Sequence, residues 1–464
     1  MFKFDFDIED ADDEVVIPQT AAQASAAGSC SNAAAQTSRA PPQPSHSISL
    51  ADLIKTLPAS FSYTPLAHPC GAERAPLLRR DLFDARFQLA QDGHDAEDEV
   101  ESPDAESTPK AAASEEPKEG AEYVDADTDL VPGTYEGGLK SWEGGLDLVE
   151  VLAANVAGEA QGDQDEDKQI ANWVRGARVL EVGCGTGLPS AYLLRALLST
   201  PATADQKRTT LHLQDYNLPV LSLVTLPNLV LAALRALPAD VLAQATTTDV
   251  EVIQEINDDD EDADEYADEA EDKFGDDDEE KGARERRTRG EVDGFDGRRA
   301  GTLDLTPELL AAFTKVLEER GVDLQFTYGD WSGMATTLAD EVPYSLVLTA
   351  ETIYAEESQR ALLDVLQTSA RYTAPLKETA RAPASLEASL DSLSVRDDWA
   401  RQPLSAETPE PVVLVAAKVL YFGVGGGLDS FLAQVAAEKQ GWSVRVRDWV
   451  KGVGRAVVRV GWQA

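Results

Sequence analysis

The hydrophobic residues of this chain form short apolar runs that alternate with longer stretches of helical periodicity. Five runs rich in β-branched and apolar residues predict strands, and most are followed by a segment that predicts a helix. Two final runs, at 442–450 and 455–462, predict a hairpin. Parallel strands with crossover helices indicate an α/β fold with a doubly wound sheet, which binds ligands at the carboxyl ends of its strands. The strands are predicted at 177–183, 210–216, 323–331, within 344–354 and at 412–419, and the helices at 188–198, 218–243, 356–366 and 428–439.

Acidic residues outnumber basic ones by 84 to 40 in the 464 residues, and the formal net charge is −44. Acid-rich runs with few apolar residues cannot bury enough surface to fold, so we expect them to be disordered. Two stretches near the N-terminus, LADLIKTLP and LLRRDLFDARFQLA, predict short helices that pack on the main domain. The expected organisation is a disordered tail at 1–48, an accessory segment at 49–90, an acidic linker at 91–121 and the main domain at 122–464, with disordered insertions at 257–301 and 375–410.

The negative charge argues against direct binding of nucleic acid and favours a basic protein partner. The three cysteines contain no CxxC pair, so neither zinc nor disulfides are expected, and a reducing intracellular compartment is indicated. The first ten residues are acidic where a secretory signal would be basic. Residues 218–243 are as apolar as a membrane span, but they contain prolines and charges and predict a buried helix instead.

The strongest chemical signal is the loop Glu181-Val-Gly183-Cys-Gly185-Thr-Gly187, directly after the first strand. Glycines let a backbone turn tightly and approach a ligand without interference from a Cβ atom. Between a strand and a helix, such a loop is typical of a nucleotide-type cradle. The loop alone does not distinguish a dinucleotide from S-adenosylmethionine (SAM), and an ordinary tight turn is the alternative.

Two more strand ends carry acids. Asp215 can accept hydrogen bonds from both ribose hydroxyls of an adenosine, and Asn217 can cap the next helix. Asp330 can accept from the adenine amine, and Trp331 can cover the adenine ring or, alternatively, belong to the core. Together with the glycine loop, these ends outline one adenosine pocket. The candidate residues are Asp215, Tyr216, Asn217, Gly329, Asp330 and Trp331.

The reacting group is expected at the fourth strand end, where Ala350 is followed by Glu351 and then Tyr354. Glu351 and Tyr354 are three residues apart, so both can face one cleft. The alternative is that Glu351 is an acid of a helix N-terminus and Tyr354 a core residue.

Two further glycine-rich loops complete the set. The loop at 133–145 can lie over a ligand as a lid, or it can be an ordinary lead-in to a helix. The loop at 421–427 is interpreted as a segment near the acceptor site that lets a protein substrate approach.

Six motifs occur in this order along the chain: VPGTYEGGLKSWEGGLDLVE, VLEVGCGTGLPS, LQDYN, GDW, AETIY and YFGVGGG. Together they resemble the motifs of the eukaryotic protein-histidine N-methyltransferases. The resemblance covers about 130–228 and 323–427. It implies a seven-strand, Rossmann-like methyltransferase sheet, SAM as cofactor, and methylation of a histidine of a large-subunit ribosomal protein at the tele nitrogen. It also implies SAM contacts from 141–145, Gly183, 215–217, 329–331 and near Ala350. Ala350 replaces the small hydroxyl residue that is common in the family.

Direct in-line transfer from a sulfonium needs no metal, because positioning supplies most of the rate. Neutral imidazole has the required lone pair at cellular pH. An acceptor for the other ring N–H would fix the reactive tautomer. Glu351 is the candidate for this role, and Tyr354 is expected to shape the pocket.

The rival functions are a lysine methyltransferase with the same cofactor pocket, a SAM-binding or chaperone-like protein without turnover, and an NAD-dependent oxidoreductase. The last is disfavoured because none of the four histidines lies at a predicted strand end. The acidic insertion either attracts a basic substrate or is a plain linker. A monomer is expected, in the cytoplasm and the nucleus, where the basic cluster at 284–289 could act in import.

Overall fold

The computed structural model describes residues 44–86, 88, 138–158, 162–203, 207–248, 295, 297–371, 398–400, 402–405, 410–421, 426–438 and 440–462. The predicted tail up to residue 43, the linker at 91–121 and most of both insertions lie outside the described residues, so their predicted disorder stays a prediction.

A central sheet of eight strands organises the main domain. Its five inner strands are parallel, and its last two form the predicted hairpin, in which the strand next to the parallel ones runs antiparallel to them. Apart from an added edge strand, numbering the seven strands along the chain gives the order 3-2-1-4-5-7-6, which confirms the doubly wound seven-strand fold. In spatial order the strands are β1 (Ser45–Ile48), β8 (Val322–Gly329), β5 (Thr209–Asp215), β4 (Arg178–Val182), β9 (Leu346–Ala350), β10 (Val412–Lys418), β12 (Arg455–Trp462) and β11 (Gly441–Trp449).

Helices cover both faces of the sheet, because its inner strands are apolar on both sides. In β9, Leu346 and Leu348 belong to one buried cluster, whereas Val347 belongs to the other. This alternation follows from the two-residue period of a strand. The helices are α1 (Leu50–Ile54), α2 (Glu143–Leu152), α3 (Asp163–Val174), α4 (Leu188–Ser199), α5 (Leu218–Ala236), α6 (Ala239–Ala245), α7 (Pro307–Glu319), α8 (Trp331–Leu338), α9 (Glu356–Ser369) and α10 (Leu428–Ala437).

Helix α5 is the apolar segment that resembles a membrane span. By length and composition it could cross a bilayer, but 72% of its apolar window is buried within the fold. It contains a π-helical turn at Leu221–Thr225 and ends in a 3-10 turn at Leu234–Ala236. The predicted helix over 218–243 is therefore two helices, because Pro238 takes the N-cap position of α6.

The accessory segment builds a second sheet against the main domain. Its strand order is β3 (Leu77–Arg80), β2 (Ser60–Leu66), β7 (Gly301–Asp304) and β6 (Thr246–Thr248). The predicted helix in LADLIKTLP is confirmed as α1, whose N-cap Ser49 accepts from the Asp52 N–H. The prediction of a helix from residue 77 is wrong for the first four residues, which pair as β3 with β2.

Two predicted boundaries also change. The tail was expected to reach residue 48, but Ser45–Ile48 pairs with the free edge of β8. The insertion was expected to extend to residue 301, but Gly301 begins β7 and faces Thr248 of β6. Thr248 and Gly301, which lie on either side of the acidic insertion, are therefore direct neighbours in the second sheet. An insertion there leaves the central sheet intact.

A buried polar cluster joins the accessory segment to helices α3 and α4. The carboxylate of Glu166 lies 2.7 Å from Arg74, 3.1 Å from His68 and 3.3 Å from Arg195, and it accepts from the Tyr192 hydroxyl at 2.8 Å. Burial acts to raise the pKa of Glu166, but these neighbours outweigh it and lower the pKa to about 2. The charge of Glu166 is thus retained inside the fold, and removing one cationic partner would leave it less fully compensated.

Candidate functional site

The predicted site residues lie along the carboxyl edge of the central sheet. Strand β4 has β5 on one side and β9 on the other, so the chain connections diverge between β4 and β9. Ligands of doubly wound sheets bind at such a point. We divide the site into a glycine-loop half, at the ends of β4, β5 and β8, and a Glu351 half, at the ends of β9 and β10.

The glycine loop has the left-handed backbone that its sequence predicts. Gly183, Gly185 and Gly187 have φ angles of 60°, 50° and 63°. A Cβ atom on Gly183 would lie 2.5 Å from Cγ2 of Thr352, which follows β9. Glycine is therefore needed at position 183 both for its φ angle and for this close approach between the two halves.

The side chain of Gln214 forms hydrogen bonds to the ends of two neighbouring strands and to Trp331. The sequence did not predict Gln214 as a site residue. Its Oε1 accepts from the Gly183 N–H at 3.1 Å and from the Trp331 indole N–H at 2.9 Å. Its Nε2 donates to the Gly329 carbonyl at 3.0 Å. A fully buried amide makes such bonds because unpaired polar atoms are costly there. The available signal was an amide directly before Asp215 at the end of a predicted strand.

Asp215 braces the glycine loop. Its Oδ2 accepts from the Gly185 N–H at 2.9 Å, and its Oδ1 accepts from the Asn217 N–H at 3.1 Å. Asn217 takes the predicted N-cap position of α5, but its side chain makes no capping hydrogen bond there. The neighbouring Tyr216 is 42% exposed and presents an aromatic surface at this edge.

At the end of β8, Asp330 caps helix α8. Its Oδ1 accepts from the N–H and the hydroxyl of Ser332 at 2.7 and 2.5 Å. Trp331 packs against the buried cluster on the α8 side of the sheet, and its ring also borders Gly183. These contacts favour the core alternative for Trp331, while its place next to the loop agrees with the predicted pocket.

Glu181 lies beneath the loop rather than free at the edge. It is 3% exposed, and its carboxylate accepts from the N–H and the hydroxyl of Ser190 in helix α4. Burial, together with the nearby charge of Asp215, raises the pKa of Glu181 to about 7. Its carboxylate therefore holds α4 to the end of β4, and its predicted cofactor contact stays a prediction.

The predicted lid is described from residue 138 onward, and its start at 133–137 lies outside the described residues. The Ser141 hydroxyl lies 3.3 Å from that of Thr186 in the glycine loop. A Cβ atom on Gly144 would lie 3.0 Å from Oε1 of Glu351. The segment at 138–145 therefore crosses from one half of the site to the other, as a lid would.

The same segment carries two side chains that face the end of β10. The Trp142 ring has the ammonium groups of Lys140 and Lys418 each 4.6 Å from its centroid. Glu143 begins α2, and its carboxylate lies 3.9 Å from the Lys418 ammonium. A Cβ atom on Gly145 would lie 3.8 Å from Cδ of Pro189 in α4, an ordinary van der Waals distance.

Glu351 is the strained residue of the site. Its φ angle of 57° is left-handed, which costs a residue with a Cβ atom roughly 1–3 kcal/mol and is common where function needs it. Its Oε2 accepts from the Tyr421 hydroxyl at 2.6 Å. Its Oε1 is buried beside Gly144 and has no hydrogen-bond partner of normal geometry among the described residues. Burial raises the pKa of Glu351.

The alternative for Glu351, an acid at a helix N-terminus, is excluded, because α9 begins five residues later and its N-cap is Ala355. The ring of Tyr354 lies 6.5 Å from the ring of Tyr421, which is the hydrogen-bond partner of Glu351. Ala350 is the last residue of β9 and contributes no polar side-chain atom.

The glycine-rich loop after β10 reaches the Glu351 half, as predicted, although 422–425 lie outside the described residues. The Gly426 N–H donates to the Tyr354 carbonyl at 2.9 Å. A Cβ atom on Gly426 would lie 2.2 Å from that oxygen, so only glycine fits. Tyr421 opens the same loop. This tyrosine belongs to the predicted YFGVGGG motif, but the sequence predicted no role for it.

Within the described part of the chain, no group of three or more His, Cys, Asp and Glu side chains is arranged to hold a metal ion.

Comparison with known proteins agrees with the predicted resemblance. "Histidine protein methyltransferase 1" of Saccharomyces cerevisiae is 27% identical over 365 residues, which cover 78% of this chain and 68% of the relative. The protein of the same name from Schizosaccharomyces pombe is 25% identical, over 88% of this chain and 83% of the relative. No protein-family model matches the chain. An O-methyltransferase of Bacillus cereus, solved in complex with SAH, overlaps with a TM-score of only 0.28 at 10% identity and covers 69% of this chain and 92% of its own.

Proposed function

We infer that this chain, a homologue of the histidine protein methyltransferases, is a SAM-dependent enzyme that methylates a histidine side chain of a protein. The observation that carries the proposal is the contact between the glycine-loop half and the Glu351 half of the site. The glycine loop touches Thr352, and Thr352 directly follows Glu351, whose Oε1 is kept without a partner of normal geometry among the described residues.

The glycine-loop half fits the cofactor. Recognition of an adenosine needs carboxylate acceptors, an aromatic surface and a backbone without side chains. Asp215, Asp330, the exposed Tyr216 and the loop at 183–187 supply them at neighbouring strand ends. When bound, SAM supplies an electrophilic methyl group, whose bond to sulfur breaks as the bond to a ring nitrogen forms.

The Glu351 half prepares the acceptor. An ionised carboxylate accepts hydrogen bonds only, so Oε1 accepts the N–H of one ring nitrogen and leaves the lone pair on the other. The imidazole becomes positively charged on methylation, and the nearby carboxylate stabilises that charge. Because Oε1 lies under Gly144, the ring reaches it when the 138–145 segment moves away. This agrees with a lid.

The finer parts of the proposal are the tele nitrogen and a basic large-subunit ribosomal protein as substrate. The motif resemblance supports both, and the net charge of −44 supports attraction of a basic protein and disfavours nucleic acid. A monomer acting in the cytoplasm and the nucleus is proposed on the same grounds.

The test uses methyl-labelled SAM and ribosomal proteins purified from cells that lack this chain. Label should appear in tele-methylhistidine after hydrolysis. Methyllysine would establish the lysine methyltransferase instead, and SAM binding without labelled product would establish the non-catalytic alternative. Mass spectrometry of ribosomes with and without the protein would identify the target.

The accompanying variant is Glu351→Gln. The amide places a donor where Oε1 accepts, so we expect turnover to fall by roughly 100-fold with unchanged SAM affinity. Glu356→Gln, an exposed acid at the start of α9, is the matched control and should keep wild-type turnover. Wild-type turnover of Glu351→Gln would refute the orienting role.

A further inference from the structure

The hydroxyl of Tyr421 has both of its neighbours defined. It lies 2.6 Å from Oε2 of Glu351 and 3.2 Å from the backbone nitrogen of Lys418. A backbone N–H can only donate, so the tyrosine oxygen accepts from Lys418, and its own proton is left to be donated to Oε2 of Glu351. In this arrangement Tyr421 is the donor and Glu351 the acceptor.

This direction decides what the other oxygen of Glu351 can do. While Oε2 accepts from Tyr421, a proton taken up by Glu351 sits on Oε1. Ionised Glu351 then presents a pure acceptor at Oε1, and neutral Glu351 presents a donor there. These two forms hold an imidazole in opposite tautomers. Only the ionised form leaves the lone pair on the far nitrogen.

From this geometry we propose that Tyr421 is a positioning residue for the target histidine. It keeps Oε1 of Glu351 an acceptor for one ring nitrogen, so that the other nitrogen, which is methylated, keeps its lone pair. The proposal rests on the proposed function and adds a residue that neither the motifs nor the relatives assign. Tyr421 acts only through Glu351 and does not itself touch the reacting atoms.

The surroundings of Glu351 make its ionisation depend on this bond. Burial raises the pKa of Glu351 and Glu143 raises it further, whereas Tyr421, Lys418 and the Gly144 N–H lower it. Arg455 of β12 also interacts electrostatically with Glu351. Loss of the Tyr421 hydroxyl removes the largest of the influences that favour the charged form.

The test compares Tyr421→Phe with the wild type, using methyl-labelled SAM and ribosomal proteins from cells that lack this chain. At pH 7 we expect about a tenfold lower rate, with the acid limb of the rate profile moved up by about one pH unit and the rate recovering above it. The target imidazole has an ordinary pKa of about 6.5, and its titration adds the same acid limb to the pH–rate profiles of both proteins. The ratio of tele- to pros-methylhistidine should stay unchanged, because a neutral Glu351 leaves the proton on the reacting nitrogen and does not free the other one.

The matched control is Tyr344→Phe. It also removes a buried tyrosine hydroxyl, 2.6 Å from His212 and outside the site. It should lower the melting temperature without moving the pH limb or the ratio of the two methylhistidines. SAM affinity, measured by calorimetry, should stay within about twofold of wild type in both variants, since neither hydroxyl contacts the glycine loop.

An unchanged pH limb in Tyr421→Phe would overturn the proposal. So would a rate loss that is equal at all pH values. Failure of the wild type to label histidine would instead refute the proposed function, so the two failures are distinguishable.

Discussion

The two halves of the site are built on opposite principles. In the glycine-loop half, Gln214 and Asp215 pair with the backbone of the loop and with Trp331. In the Glu351 half, a buried carboxylate oxygen is left without a donor of normal geometry among the described residues, on a backbone with left-handed φ. The first half is a framework whose polar groups are hydrogen-bonded to one another. The second half holds a carboxylate oxygen that is available to a hydrogen-bond donor of the substrate.

This difference indicates where the site tolerates change. Damage to the framework should reduce stability and cofactor binding together, because the same hydrogen bonds serve both. Damage to the Glu351 half should reduce turnover with little effect on binding, since the strain there stabilises nothing in the resting protein. The following variants test this separation.

The largest effect is expected for Gly183→Val. The side chain would meet Thr352 on a backbone with φ of 60°, so we expect SAM affinity to fall by more than about 100-fold and the free energy of unfolding by about 2–4 kcal/mol. Calorimetry and denaturant unfolding measure the two quantities. Gly321→Ala is the control, because Gly321 has φ of 64° and open space around it.

Gly321→Ala should cost about 1 kcal/mol of stability and leave SAM affinity unchanged. Equal loss of SAM affinity in both variants would contradict the framework interpretation.

An intermediate effect is expected for Glu181→Gln, and it depends on pH. The folded pKa of about 7 lies above the unfolded value of 4.5, so folding favours the neutral form. This stabilisation is fully present below pH 4.5 and is lost as pH rises through about 7. The wild type should therefore lose on the order of 3 kcal/mol more than Glu181→Gln across this range. Denaturant unfolding of both proteins at several pH values measures the difference. Parallel curves would show that Glu181 does not titrate as described.

The smallest effect is expected for Lys418→Met, in the Glu351 half. The ammonium favours ionised Glu351, so its loss should lower turnover two- to threefold at pH 7 and less at pH 9, with SAM affinity unchanged. Steady-state kinetics at the two pH values measure this change. Lys140→Met is the control, since it removes the other cation beside Trp142. An identical rate loss in both variants would assign the effect to Trp142 rather than to Glu351.

Local features of the fold were predictable. The apolar strands, the glycine loop and the final hairpin have signals within a few residues, namely the two-residue period and the left-handed glycines. The strand at 77–80 was taken for a helix because its pairing with β2 is set by a partner outside the local sequence. The edge strand β1 was missed for the same reason, since β8 supplies its hydrogen bonds.

The sequence by itself determined the doubly wound sheet, the strand ends that carry the chemistry, and Glu351 as the candidate orienting group. Only the tertiary structure shows that Gln214 hydrogen-bonds to Trp331, 117 residues away, and that Tyr421 hydrogen-bonds to Glu351, 70 residues away. It also decided that Asn217 makes no capping bond and that Glu181 is buried against α4. Backbone conformation and hydrophobic period are properties of neighbouring residues. A hydrogen bond between distant strand ends exists only once the sheet has brought them together.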